Sequence, residues 1–235
     1  METPKYTTME LIVKTISEKS VLKRDVYENT KKHFNELKIL LKEITDELKL
    51  KISAVDSRLQ IDYVDKGTYE CQIVIAGDIL IFHMHTNVFQ FDESNPLWKT
   101  SYLKDEPDRG YCGIINIYNF LADSFRLNRM NDLGYMIARI FINSEDHFLV
   151  QGKRQLGYLY NDFVNAKFEK TNLRAILESS VITALDFDLY TPPFNMIKEV
   201  TVMEMQELSN NLSLTTGKRL GFKFLHEDID IIGKK

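Results

Sequence analysis

The spacing of apolar positions changes twice along the chain. From Thr7 to Leu50 it is helical: Met9, Ile12, Val13 and Ile16 mark a first segment, and a longer one without Gly or Pro starts near Leu22. Within it Phe34, Leu37, Leu41, Ile44 and Leu48 are spaced 3, 4, 3, 4, the rhythm of a coiled-coil seam. About two heptads is short for an autonomous coiled coil, so the rhythm predicts a helix laid along a sheet. The other reading is a helix that meets a protein partner or a second copy through residues 22–50.

From Ile52 the period becomes two. Leu59 to Val64 reads as a strand ending at the turn Asp65-Lys66-Gly67, Tyr69 to Ile75 as the next, and Ile79 to Phe91 as a third beyond Gly77-Asp78. Trp98 to Leu103 and Tyr111 to Phe120 flank a Pro-, Asp- and Gly-bearing segment that suits a hairpin connection. Tyr135 to Asn143 and His147 to Gln151 follow, with Gly152-Lys153 as a hairpin turn into Arg154 to Tyr160. The connections are too short for crossover helices, so the strands form a mainly antiparallel meander of about seven or eight.

Helical spacing returns after Phe163. Leu173, Ile176, Leu177, Val181, Ala184 and Leu185 make one stripe, stopped near Thr191-Pro192-Pro193. Lys198 to Val200 reads as a short strand, and Thr201-Val202-Met203-Glu204 opens a helix running to about Leu212 and ended by Gly217. Gly221 to Leu225 reads as an edge strand. Helices, then strands, then helices indicate an α+β fold: an antiparallel sheet flanked by N-terminal and C-terminal helices. We read 1–235 as a single domain, with a helical segment at 1–50, the sheet at 52–163, and helices with a short strand at 170–225.

Composition narrows the chemistry. With 235 residues, the chain is long enough to bury a core that requires no cofactor for stability. Gly and Pro together are only about 6% of it, against roughly 12% in average proteins, and neither a GxGxxG nor a P-loop occurs. The segments Gly152 to Gly157 and Gly217 to Gly221 share a Gly-Lys-Arg start but read as turns. Two cysteines, Cys71 and Cys112, lack CxxC spacing and read as thiols on strands. The beginning of the sequence shows no secretory h-region, and no apolar run is long enough to cross a bilayer, so a cytoplasmic protein is expected. The net charge of −4 and the alternation of Lys with Glu and Asp on the long helix give no basic stripe, so nucleic acid is not indicated.

Two clusters could carry function. In Ile79 to Asn87 the alternation of a strand puts His83 and His85 on one face, where both could meet one ion or one anionic ligand. The segment Ile115 to Asp132 crowds amides, aromatics and two arginines, its Asn119 to Asp132 part forming a loop, and Arg139 sits among apolar residues mid-strand, where it must pair, snorkel or face a polar cavity. Arg126, Arg129, Arg139 and Arg154, with His83 and His85 on the wall, are therefore expected to form a pocket for a phosphate or carboxylate. The bland alternative is a set of ion pairs with Asp123, Asp132, Glu145 or Asp146. A metal-assisted hydrolase using His83 and His85, with Asp62 or Asp123 as ligand or base, is the enzymatic alternative, although HxH alone lacks a third ligand. A structural oligomer built through the Phe34 to Leu48 seam is the third.

Overall fold

The computed structural model describes residues 7–153, 155–189, 191, 193–203, 205 and 206. A helical rod opens the chain: α1 (Thr8–Thr15), a π-helical stretch (Ile16–Ser20) and α2 (Val21–Ser53) follow one another without a break, roughly 70 Å in all. Thr7 caps the start, its hydroxyl accepting from the Glu10 N–H at 3.3 Å while the Glu10 carboxylate accepts from the Thr7 N–H at 2.7 Å.

Seven strands follow: β1 (Ile61–Asp65), β2 (Glu70–Ile75), β3 (Asp78–Met84), β4 (Phe89–Gln90), β5 (Tyr111–Leu121), β6 (Tyr135–Ile142) and β7 (Phe148–Gly152). The sheet runs β1-β2-β3-β5-β6-β7 with every pairing antiparallel, and the short β4 pairs with the start of β5. Between β4 and β5 lie α3 (Ser101–Asp105) and two 3-10 turns; α4 (Ala122–Arg126) follows β5, α5 (Gln155–Leu159) follows β7, and α6 (Lys170–Leu185) and α7 (Phe194–Ile197) come after.

The fold is α+β, as the order of elements predicts. One face of the sheet presents Cys71, Ile73, Leu80, Phe82, Ile115, Ile117, Ile140 and Val150, and it is covered by Phe34, Leu37, Leu41 and Ile44 of α2 and by Leu173, Ile176, Leu177 and Val181 of α6. The 3, 4, 3, 4 seam is thus spent on the chain's own sheet, which leaves no free surface there for a partner or second copy. The opposite face is covered at one end only, where Phe91, Leu103 and Phe163 close over Cys112, Ile114, Phe141 and Leu149.

Several local expectations are corrected. Trp98 to Leu103 is helical, because Asn95 caps the Leu97 N–H at 3.0 Å and Pro96 suits the first turn, which outweighs the β propensity of Trp and Tyr. The predicted strand after Gly152 is α5, which turns Leu156 into the main core. Ile79 to Phe91 breaks after Met84, where the His85 ring accepts from the Asn87 N–H at 3.0 Å and turns the chain toward β4. Lys198 to Val200 is not a strand; a helical turn precedes it. Met205 N–H bonds Thr201 O at 3.0 Å, in line with a helix starting there. The rest of that helix, Gly217 and the strand at 221–225 lie outside the described residues. None of the described helices is long and apolar enough to cross a membrane.

Candidate functional site

The open face of the sheet follows from the register. Glu70 stands opposite His83, His83 opposite Asn116, Asn116 opposite Arg139, and Arg139 opposite Gln151. Residues directly opposite share a face at roughly 4.5–5.5 Å between Cα atoms, so these five form one polar row across five strands. The next row is Gln72, Ile81, Tyr118 and Met136, brought into phase by a bulge that leaves Ile137 without an opposite residue on β5. Beyond it Phe120 meets Phe125 of α4 ring to ring at 5.4 Å, so α4 bounds this side while the Phe91, Leu103 and Phe163 cluster bounds the other.

Of the predicted arginines among the described residues, only Arg139 belongs to this face. Its Nε donates to Gln151 Oε1 at 2.8 Å and its guanidinium lies 5.1 Å from the Phe141 ring centroid, and no carboxylate among the described residues is within ion-pair distance. Beside it, the Asn116 amide hydrogen-bonds no described residue. Arg126 and Arg129 are elsewhere, at the far end of β5, about 17 Å along the strand from Asn116. Arg126 is exposed and paired with Asp123 at 2.7 Å; Arg129 is buried against Asp132 at 2.9 Å, and Ser124 donates to the same carboxylate at 2.6 Å. The segment Asn119 to Asp132 therefore holds its own arginines in local ion pairs and does not share a site with Arg139. Arg154 lies outside the described residues.

The two histidines separate in role. His83 sits in the polar row between Glu70 and Asn116. His85 is committed locally, bonded to the Asn87 N–H and packed edge-on against Phe89 at 4.7 Å. Asp62 is two strands away and four positions along from His83, and it is engaged by Lys49 at 2.7 Å and Gln60 at 3.0 Å. Bonds from these two outweigh a little burial and hold its carboxyl below the usual aspartate range. Among the described residues no three His, Cys, Asp or Glu side chains come together to hold a metal ion. Both cysteines are buried thiols on strands; burial pushes Cys71 up to about 12 and Cys112 up as well, so neither is a thiolate nucleophile near neutral pH.

Two concave places arise that the linear sequence does not announce. The first, of about 500 Å³, lies between α2 and the β3–β4 turn, lined by Ser20, Lys23, Arg24, Tyr27, Tyr69, Thr86, Asn87 and Val88. Tyr27 and Tyr69 share one hydroxyl–hydroxyl bond at 2.7 Å, and only one of the two protons is used in it. Arg24 is paired with Glu28 at 2.5 Å, whereas Lys23 has no carboxylate partner among the described residues and reaches over the Tyr111 ring at 5.7 Å. The second, of about 460 Å³, is walled by His33, Glu36, Asp146, Phe168 and Lys170. There the buried His33 ring meets Asp146 at 2.6 Å and Glu36 at 3.1 Å. Both His33 nitrogens are taken, so this ring supports the wall and has no atom left for a ligand.

Of the open-face row the sequence singles out His83 and Arg139; for Asn116, which it does not, the signal is a lone amide inside the apolar run Cys112 to Tyr118. Comparison of the chain with known protein families, with curated proteins and with solved structures finds no match.

Proposed function

We propose that the protein binds an anionic ligand on the open face of its sheet, centred on Arg139. The observation that carries this reading is a mid-sheet arginine with no carboxylate partner among the described residues, in register with an unengaged amide at Asn116 and with His83. A guanidinium presents its donors as a planar fork suited to carboxylate or phosphate, and Gln151, by accepting from Nε, fixes the plane of that fork. The adjoining half-buried Ile81 and Tyr118, with Met136, offer an apolar floor. The ligand class is accordingly an anion carried on an apolar or aromatic body.

The test is a thermal-shift and calorimetric panel of inorganic phosphate, a mononucleotide, a medium-chain fatty acid and an aromatic carboxylate. A ligand at 100 times its Kd adds about 2.7 kcal/mol, or roughly 5–10 °C in a chain of this size. R139E is expected to abolish that shift while melting as a folded protein, and N116A to weaken binding about tenfold. Unchanged affinity in folded R139E overturns the reading.

A second location is favoured by concavity. The cleft of Lys23, Arg24, Tyr27 and Tyr69 is rich in donors, and K23E in the same panel separates the two: loss of binding in K23E with R139E unaffected moves the anion to that cleft. The hydrolase reading through His83 and His85 would instead require a metal-specific shift lost in His83→Ala.

A further inference from the structure

The polar row of the open face carries two charges of opposite sign, Arg139 and Glu70, and among the described residues neither is in an ion pair. Each is held by a neutral amide instead. Gln151 Oε1 accepts from Arg139 Nε at 2.8 Å, and Gln72 Nε2 donates to Glu70 Oε1 at 2.7 Å, so both side chains are oriented while their charges stay uncompensated. Three inter-strand spacings separate the two, roughly 14 Å between Cα atoms, which exceeds the Debye length of about 8 Å at physiological ionic strength, so they do not neutralise one another. Lys66, beyond the end of β1 and so on the side of Glu70 away from His83, donates its N–H to Glu70 O at 3.0 Å and makes no ion pair with the carboxylate. Between the charges lie His83 and Asn116, whose side chains hydrogen-bond no described residue. Asn116 is only 9% exposed. Its amide has an oxygen that accepts and an NH2 that donates, and a carboxylate satisfies only the second. An extended peptide, whose residues present N–H and C=O together on one edge, satisfies both.

We infer that the ligand of the open face is a short peptide with free ends, lying across the strands with its α-carboxylate on Arg139, its α-ammonium on Glu70 and a backbone N–H and C=O on Asn116. This inference rests on the anion reading above and names its ligand. The length follows from the geometry. A hydrogen bond at each end takes up about 3 Å of the span, which leaves roughly 8 Å between the terminal groups, and an extended chain advances roughly 3.3–3.6 Å per residue. Three residues fill that gap. Apolar side chains on such a peptide meet Ile81 and Tyr118 in the adjoining row, both half-buried and neutral, so the face asks for charge only at the two ends of its ligand. A single amino acid is too short to reach both charges, and an anion without a positive end leaves Glu70 and the Asn116 oxygen without a donor.

Isothermal titration calorimetry of the full chain with trileucine, N-acetyl-trileucine and trileucine amide tests the inference. Free trileucine should bind at least about tenfold more tightly than either blocked form, the effect of losing one charge-assisted hydrogen bond at an end. E70Q should bind the free and the acetylated peptide equally, and R139Q the free and the amidated peptide equally, each variant melting as a folded protein. Equal affinity of free and blocked peptides for the unaltered chain overturns the inference without recourse to any variant, as does a preference for the free amine that persists in folded E70Q. Failure of all three peptides to bind, while a carboxylate or phosphate of the panel above does, also overturns it and leaves the anion reading standing. Unchanged affinity of folded R139E for that panel removes the anion reading and this inference together.

Discussion

His33 shows how much a single side chain depends on residues distant in sequence. It is buried on α2, T-stacked on Phe168 at 5.1 Å, with one nitrogen on Glu36 three residues away and the other on Asp146 in the β6–β7 turn. Asp146 has φ of 64°, a left-handed conformation that Asp and Asn tolerate better than most residues, and this turns its carboxylate back toward the helix. Burial pulls the Asp146 carboxyl up, but bonds from His33 and Asn29, with the His33 and Lys32 charges, outweigh it and leave it below the ordinary aspartate value. A carboxyl lowered in the folded state contributes stability above the unfolded pKa of about 3.9, and loses it as pH falls through the folded value. Asp146→Asn keeps the backbone preference and removes the charge. It should cost about 1 kcal/mol at pH 7, less than a buried hydrogen bond to a charged group because water screens the half-exposed carboxylate, and should flatten the decline in stability below about pH 4. An unchanged urea midpoint at both pH values would refute this. Nothing near His33 in sequence points to Asp146; the pairing exists only after β6 and β7 form their hairpin.

At the scale of elements, the helix and strand patterns were legible where one face of an element meets one environment. The α2 seam, the α6 stripe and the alternation in β2 and β6 all read correctly because burial on one side imposes a period of 3.6 or 2. Reading failed where local capping competed with propensity, at Trp98 to Leu103, and where a turn redirected the chain, after Met84 and after Gly152. Crossing geometry was equally invisible. Gly113 reads as an ordinary strand residue, yet α2 crosses β5 directly over it, and a Cβ at that position would lie 2.1 Å from Thr30 Oγ1. Gly113→Ala should therefore push the helix off the sheet at a cost of about 1–3 kcal/mol, typical of overpacking. Thr30→Ala removes two of the three crowding atoms, so the double variant should recover part of that loss; strict additivity in chemical denaturation would show that the two residues do not compete for space.

At the scale of the whole molecule, the rod divides into a part packed on the sheet and a first part with no buried residue, and the two should behave differently in solution. Amides from Val26 to Leu48 belong to the core-facing helix and should exchange slowly with deuterium at any protein concentration. Amides from Leu11 to Ser20, where no residue is buried, should exchange faster than those of the packed part; equal protection of the two stretches would refute this. The sequence by itself determined the α+β class, the antiparallel meander and most helix and strand positions, because apolar periodicity is a local record of which side of each element is buried. It also pointed to Arg139, since a charge amid apolar residues on a strand demands an explanation. Only the tertiary structure decided that Arg126 and Arg129 are spent on Asp123 and Asp132, that Asn116 and His83 stand in the row with Arg139, and that the coiled-coil rhythm of α2 serves the sheet. Periodicity says that a face is buried but not against what, and strand register, which sets every neighbour on the open face, is a property of pairs of segments that no single segment contains.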